Sequence, residues 1–209
     1  FNYQYAMSAA RIVEPTLIND GGSMEKANWN QAVTLSKSIV QPGKTAVLIG
    51  TDLTLEEAKA VIEFSKEHLK GALVFHFGTP GVLTSQQDGD ADKILKRKSK
   101  TSNLHGIEKL GVKAFEKLPA GVTSALVFRG GRAVLPRLTG VQVIGVGVFF
   151  EGETDGYKAV LPGPSFAEKS GTIVNFQGVE QKLLRAIMPR GKSKEVSEIL
   201  MTWMHYGSV

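Results

Sequence analysis

The sequence lacks cysteine altogether and contains few long apolar runs. Without cysteine, this chain cannot form disulfide bonds, zinc–thiolate sites or thiolate-held iron–sulfur clusters. The most apolar stretch, Val141 to Phe150, is about half as long as a membrane-spanning helix. Residues 1–10 have neither the basic start nor the apolar core of a signal peptide, and we expect them to form a disordered or cloning-derived tail.

A strong excess of charge of one sign is also missing. The chain has 25 basic and 20 acidic residues and a formal net charge of +5. Nucleic-acid-binding proteins usually carry a denser basic face with aromatic platforms, so we expect no nucleic-acid partner. Lys93–Lys100 is the densest basic run, with five positive charges in eight residues. We interpret it as a solvated loop, and contact with phosphate, an acidic partner or lipid headgroups is the alternative.

Patterns of catalytic or metal-binding residues are scarce as well. The four histidines do not have the spacing of metal ligands: His68, His76, His105 and His205. We expect His68 on a helix surface and His76 inside a strand. Ser165 follows an apolar run as a nucleophile elbow would, but Ala167 stands where that turn needs glycine. The sequence therefore predicts no catalytic and no metal-binding residue.

What the sequence does contain is an alternation of helical and strand patterns. Capping boxes at Asn28/Gln31 and Thr54/Glu57 begin two amphipathic helices, the second with Gly71 as its C-terminal cap. Short apolar runs predict strands at Thr45–Gly50, Ala72–Phe77, Ser124–Phe128, Val141–Phe149 and Tyr157–Leu161. The order strand, helix, strand over residues 45–77 implies a parallel pair with a right-handed crossover. We therefore predict an α/β fold, a largely parallel, Rossmann-like sheet flanked by helices.

The last part of the chain has a different sequence pattern. Residues 172–175 and 179–184 flank Gln177-Gly178 and predict a hairpin outside the main sheet. A terminal helix follows, with its apolar face formed by Val196, Ile199, Leu200, Trp203 and Met204. We expect residues 11–163 to form the α/β domain and 164–209 a hairpin and helix packed on it. The stretch from 78 to 122 predicts a long loop with one or two short helices.

One candidate ligand cleft follows from this arrangement. Parallel strands 45–50 and 72–77 would bring Gly50, Thr51 and Asp52 beside Gly78 and Thr79. Open α/β sheets bind ligands at this carboxyl edge. However, no G-x-G-x-x-G motif follows the first strand, so a dinucleotide site is not supported.

Residues 159–178, AVLPGPSFAEKSGTIVNFQG, resemble a stretch of the molybdopterin oxidoreductase superfamily of the type A-D-V-V-L-P-x-x-x-F-x-E-K-x-G-T-x-x-N-x-E-G-R. Supporting segments occur in the same order: Asn28 to Ala32, Ser102-Asn103 with Gly106 and Gly111-Val112, and Glu153-Thr154. The pattern is most similar to the C-terminal, pterin-enzyme-like domain of the large iron–sulfur subunit of NADH–quinone oxidoreductase, the respiratory complex I.

This resemblance implies a structural role beside electron transfer. In such a large subunit, clusters in other domains relay electrons from NADH to quinone, and the pterin-like domain has lost its cofactor. The resemblance therefore implies no cofactor in this chain, no independent enzymatic activity, and the other subunits of the complex as partners. It also implies a cytoplasmic location, peripheral to the inner membrane and bound to it only through the complex. Gln177 and Val179 replace the family's Glu and Arg, which counts against pterin binding.

One alternative function stays open at this point. The chain could be a fragment of an oxidoreductase that binds molybdopterin or a nucleotide at the strand edge, which would make the predicted cleft an active site.

Within the matching segment, several residues also have a purely structural interpretation. The glycines at 171 and 178 are what a tight hairpin requires. Glu168 and Lys169 are adjacent opposite charges, which we expect to be solvated and worth less than about 1 kcal/mol.

Overall fold

The computed structural model describes residues 8–78, 101–131, 135–150 and 156–206. The strands in these residues are β1 (Thr16–Ile18), β2 (Met24–Lys26), β3 (Thr45–Gly50), β4 (Leu73–Phe77), β5 (Lys113–Ala114), β6 (Ser124–Arg129), β7 (Gln142–Gly147), β8 (Tyr157–Pro162), β9 (Gly171–Val174) and β10 (Glu180–Leu183). The helices are α1 (Trp29–Ile39), α2 (Leu55–His68), α3 (Leu104–Lys109) and α4 (Val196–His205).

Eight of these strands form one sheet in the order β2-β1-β8-β7-β6-β3-β4-β5. The six strands from β8 to β5 run parallel to their neighbours, whereas β1 and β2 add an antiparallel edge. β9 and β10 pair antiparallel in a separate sheet. The α/β prediction, with a largely parallel sheet and a C-terminal hairpin and helix, is confirmed.

The antiparallel edge was not predicted from the sequence. β1 and β2 are each three residues long, and every residue of β2 is exposed. Such short segments lack the apolar run or alternation by which a strand is recognised. The pairing of β1 with β8, to which β2 adds the outer strand, is a tertiary effect rather than a local one.

Capping boxes begin α1 and α2 as predicted. The backbone N–H of Gln31 donates to Asn28 Oδ1 over 2.9 Å, and that of Thr54 donates to Glu57 Oε2 over 2.8 Å. The C-terminal cap of α2 is Leu69, and Gly71 lies two residues further on with a φ of 84°. That conformation favours glycine, so Gly71 serves the turn after the helix rather than the cap itself.

Two expectations about burial were wrong. An apolar run such as that of β4 is typical of a strand buried on both faces, yet Leu73 is half exposed. Met204 was placed on the buried face of α4, but it is 38% exposed. Trp203 packs edge-on against Phe64 of α2, which turns the next residue toward the surface.

Helices and loops cover opposite faces of the sheet. On one face, α1, α2 and α4 bury an apolar cluster that includes Val33, Val61, Phe64 and Trp203. On the other, non-helical residues such as Leu138 and Phe150 pack against Leu48 and Val127. Within the described ranges, no helix has the length and hydrophobicity needed to cross a membrane.

Candidate functional site at the carboxyl edge of the sheet

The predicted cleft residues do meet at the carboxyl ends of β3 and β4. The backbone N–H of Thr51 donates to Phe77 O over 3.0 Å, and its hydroxyl donates to Gly78 O over 3.1 Å. Thr51 is buried by these contacts. Thr79 lies outside the described residues. The parallel pairing therefore brings Gly50, Thr51 and Gly78 together, as the strand order required.

Asp52, which follows β3, is hydrogen-bonded to the segment that follows β6. Its Oδ1 accepts a hydrogen bond of 2.9 Å from the backbone N–H of Gly130. A Cβ atom at Gly130 would lie 2.7 Å from Asp52 O, and one at Gly131 would lie 2.8 Å from Oδ2. At Gly130 a larger residue would require a shift of the backbone, and at Gly131 it would displace the Asp52 carboxylate. The Asp52 carboxylate therefore accepts a hydrogen bond from the Gly130 N–H, a group that could otherwise bind an anion.

Lys169 reaches the same edge from the segment after β8. Its ammonium group donates to Glu57 Oε2 over 2.7 Å, and both side chains are almost fully buried. The same ammonium nitrogen lies 3.4 Å from Asp52 O. The expectation that Lys169 would be solvated is wrong, because its partner is supplied by α2, which lies 112 residues earlier in the sequence.

Glu168 forms a second buried ion pair. Both of its carboxylate oxygens accept hydrogen bonds from the Arg11 guanidinium, each 2.6 Å long, and both side chains are fully buried. The backbone N–H groups of Ser165 and Arg190 also donate to this carboxylate. The expectation of a solvated Glu168 is therefore also wrong.

Electrostatics at Glu168 favour the ionised form. Burial by itself raises the pKa of this carboxyl group, but the Arg11 guanidinium and the N–H of Ser165 outweigh that effect. The net result is a pKa of Glu168 below the ordinary glutamate value. The bidentate geometry is the kind that makes an arginine–carboxylate pair strong.

Asn103 links three separate segments at this edge. Its backbone N–H donates to Thr51 O over 3.0 Å, and its Nδ2 donates to Leu53 O over 2.7 Å. Its Oδ1 accepts from the N–H of Val174 in β9 over 2.7 Å. Because a Cβ at Gly106 would lie 2.2 Å from Oδ1, glycine is needed one helical turn later.

Glu56 fixes the start of β9. Its carboxylate accepts from the Thr172 backbone N–H over 2.6 Å and from the Thr172 hydroxyl over 2.7 Å. Partial burial opposes ionisation, but these two donors prevail and lower the pKa of Glu56. A Cβ at Gly171 would lie 2.6 Å from the side chain of Thr54, so the strand passes directly over the N-terminus of α2.

Among the described residues at the ends of β3, β6, β7 and β8, the space between the segments is small. A cavity of about 10 Å³ lies between Leu53, Phe128, Gly147 and Pro164. This volume is at the lower limit of what a single water molecule needs. The gap is far smaller than a cofactor pocket, which is typically about 300–1,000 Å³.

Other sequence candidates lie elsewhere. His76 is buried in β4 as expected, and His68 is partly exposed at the end of α2. In the described part of the chain, no group of three or more potential ligand side chains is arranged to hold a metal ion. Lys93–Lys100 and Glu153-Thr154 lie outside the described residues.

Sequence reasoning identified only part of this buried network. Asn103, Gly106, Glu168 and Lys169 were singled out by the resemblance, although it assigned none of them a structural role. Arg11 was missed, since a lone arginine near the start of a chain carries no local signal. Its partner is 157 residues away in sequence.

Comparison with known proteins supports a distant relationship to one respiratory protein. A stretch of 68 residues, 32% of the chain, is 32% identical to the G subunit of NADH-quinone oxidoreductase from Streptomyces coelicolor. This stretch covers 8% of the length of that relative. No family model matches the chain. The link to this respiratory protein is supported, while placement in the molybdopterin superfamily stays a prediction.

Proposed function

We propose that this chain is a non-catalytic structural domain of the large iron–sulfur subunit of an NADH–quinone oxidoreductase. In this role it supports electron transfer from NADH to quinone by helping the complex to assemble. The distant match to the Streptomyces coelicolor protein supports this assignment. Because the chain has no cysteine, thiolate-held clusters would lie in other domains or subunits.

The observation that carries the proposal is the internal pairing of the polar groups at the carboxyl edge. A pterin or nucleotide phosphate would need free cations or backbone donors at that edge. Lys169 is bound to Glu57, Arg11 to Glu168, and the Gly130 N–H to Asp52. Among the described residues, these pairings count against such a ligand and support an edge that holds the chain's own segments together.

Assembly into the complex provides the test. The full chain carrying an affinity tag would be expressed in the organism that encodes it, and its membranes solubilised with a mild detergent. Native electrophoresis followed by an NADH dehydrogenase activity stain should place the tag in the active high-mass band. A tagged protein of similar size and charge controls for adventitious association.

One result would contradict the proposal. If the active complex is intact but the tag is absent from it, the chain is not part of that complex. Association with the membrane fraction is expected only through the complex, so loss of the complex should release the chain.

A further inference from the structure

Sulfur in this chain is confined to methionine. The sequence contains five methionines and no cysteine. Four of the methionines lie in the described residues: Met24, Met188, Met201 and Met204. They are 45%, 73%, 48% and 38% exposed, respectively. Methionine is among the residues most often fully buried in proteins, so the exposure of all four described methionines is unusual.

The exposed methionines are carried by three different parts of the chain. Met24 lies on β2, Met188 lies in the segment between β10 and α4, and Met201 and Met204 lie on α4. No single helix or strand accounts for them. What they share is access of solvent to a thioether side chain, and this points to the chemistry of the sulfur atom itself.

Main-chain hydrogen bonds hold the segment around Met188 without using its side chain. The N–H of Ile187 donates to Ala167 O over 3.0 Å, and the N–H of Arg190 donates to Glu168 Oε1 over 3.1 Å. Because backbone groups on both sides of Met188 fix the segment, a more polar side chain at this position should leave it in place.

The helix α4 is packed through residues other than its methionines. Ile199, Leu200 and Trp203 are buried in the apolar cluster between the helices and the sheet. Met201 and Met204 are exposed instead. A change in the polarity of these two thioethers should therefore leave the buried face of α4 intact, whereas the same change at a buried position would disrupt the core.

We infer that the exposed methionines are sites of oxidative modification, at which hydroperoxides convert the thioether to a sulfoxide while the protein stays folded. The sulfur lone pair attacks one peroxide oxygen, and the S–O bond forms as the O–O bond breaks. Sulfur thereby loses two electrons and the peroxide gains them. With hydrogen peroxide, the departing hydroxide takes the proton of the transferred hydroxyl group and leaves as water.

The chain would thus consume one hydroperoxide for each exposed methionine that reacts. A sulfoxide in a protein core disrupts packing, which makes oxidation damaging at buried methionines. Exposure of the described methionines removes that cost. This inference is independent of the proposed function, because every measurement below uses the full chain alone.

Rates of oxidation in the folded and unfolded protein test the accessibility of the wild-type methionines. The purified chain is incubated with hydrogen peroxide with and without unfolding urea, and peptide mass spectrometry follows the added oxygen at each methionine. A blocked methionine amide in the same two solutions corrects for the effect of urea on the reagent. We expect each described methionine to react in the folded protein within about fivefold of its unfolded rate. Slower reaction in the folded state would contradict the inference.

Leu200→Met provides a matched buried thioether next to Met201. Leu200 is 5% exposed, and exchange of leucine for methionine nearly conserves side-chain volume. Circular dichroism checks that the variant is folded. The thioether introduced at position 200 should react at least about fivefold more slowly than that of Met201 in the folded protein, because it reacts only from opened states. The difference should vanish in urea. A smaller difference in the folded variant would show that exposure does not select the reacting methionines.

Stability of the oxidised protein tests whether the sulfoxides are tolerated. We expect fully oxidised wild-type protein to unfold in urea within about 0.5 M of the midpoint of the unmodified protein. The Leu200→Met variant, oxidised in urea and then refolded, should show a larger fall relative to its own unmodified form. A fall of more than about 0.5 M in the oxidised wild-type protein would overturn the inference, since it would show that oxidation disrupts the fold.

Discussion

Glu168 and Lys169 are neighbours in the sequence but bind different partners in the interior. Glu168 joins the N-terminal segment through Arg11, and Lys169 joins α2 through Glu57. Removing a single partner from a buried pair leaves an unpaired charge, which costs about 3–5 kcal/mol. These two residues therefore hold the segment after β8 against the N-terminal segment and against α2.

A double-mutant cycle tests the Arg11–Glu168 pair. We expect Arg11→Met and Glu168→Leu each to lower the free energy of unfolding by about 3–5 kcal/mol. The double variant should lose clearly less than the sum, because neither charge is then left alone. Urea unfolding at neutral pH measures all three values. Lys26→Met, which breaks an exposed pair with Glu14, should leave the free energy of unfolding nearly unchanged. Additive losses would show that the pair is not coupled.

Acid sensitivity should follow from the same pair. Since the pKa of folded Glu168 is below its unfolded value, its stabilising contribution is complete above the ordinary glutamate pKa of about 4.3. The contribution is lost as the pH falls through the lowered pKa. We therefore expect the wild-type free energy of unfolding to fall more steeply below about pH 4.5 than that of the Arg11→Met/Glu168→Leu variant. Parallel pH profiles would contradict this account.

Local sequence could not have revealed these ion pairs. Adjacent opposite charges on a loop are usually solvated, and nothing near Glu168 or Lys169 signals burial. The partners lie 157 and 112 residues away, so their meeting depends on the strand order of the sheet. By contrast, the capping boxes at Asn28 and Thr54 were predictable because all their atoms lie within one helical turn.

At the scale of elements, α3 positions the hairpin through Asn103. Gly106→Ala would place a Cβ 2.2 Å from Asn103 Oδ1 and 2.8 Å from Leu55 Cδ2. We expect a loss of about 1–3 kcal/mol in unfolding free energy, despite the better helix propensity of alanine. Exchange of the Val174 amide should also become faster, because Asn103 Oδ1 is its acceptor.

Gly111→Ala provides the matched comparison for that variant. Gly111 has a φ of 77° and open space around it, so alanine there is strained by about 1–2 kcal/mol but touches nothing. The Gly111→Ala substitution should not change the exchange rate of the Val174 amide beyond the effect of its lower global stability. Equal acceleration in both variants would show that Asn103 does not connect α3 to β9.

His76 makes β4 sensitive to mild acid. Burial lowers the pKa of this imidazole, and the negative charge of Glu108 only partly opposes the effect. The folded protein therefore binds the proton less readily than the unfolded chain, so stability is lost as the pH falls below about 6.5. His76→Leu should flatten the stability profile between about pH 7 and 5. An unchanged slope in His76→Leu would rule out this origin.

For the whole molecule, the main elements were readable from the sequence and the edges were not. The buried runs of β3, β6 and β8 and the helical periods of α1 and α2 specify an α/β sheet. The β1–β2 edge could not be foreseen because its pairing depends on β8 being in place. The division between residues 163 and 164 stays a prediction, although α4 and the hairpin do contact α2.

The central claim is that the carboxyl edge of the sheet is held by the chain's own ion pairs instead of a ligand. Native mass spectrometry combined with an absorbance spectrum of the purified, unsupplemented chain tests this claim most directly. We predict a single species at the bare mass of 22.5 kDa, with no absorbance beyond that of its aromatic residues. A stoichiometric phosphate-containing pterin or nucleotide adduct would contradict the claim and make the strand edge a binding site.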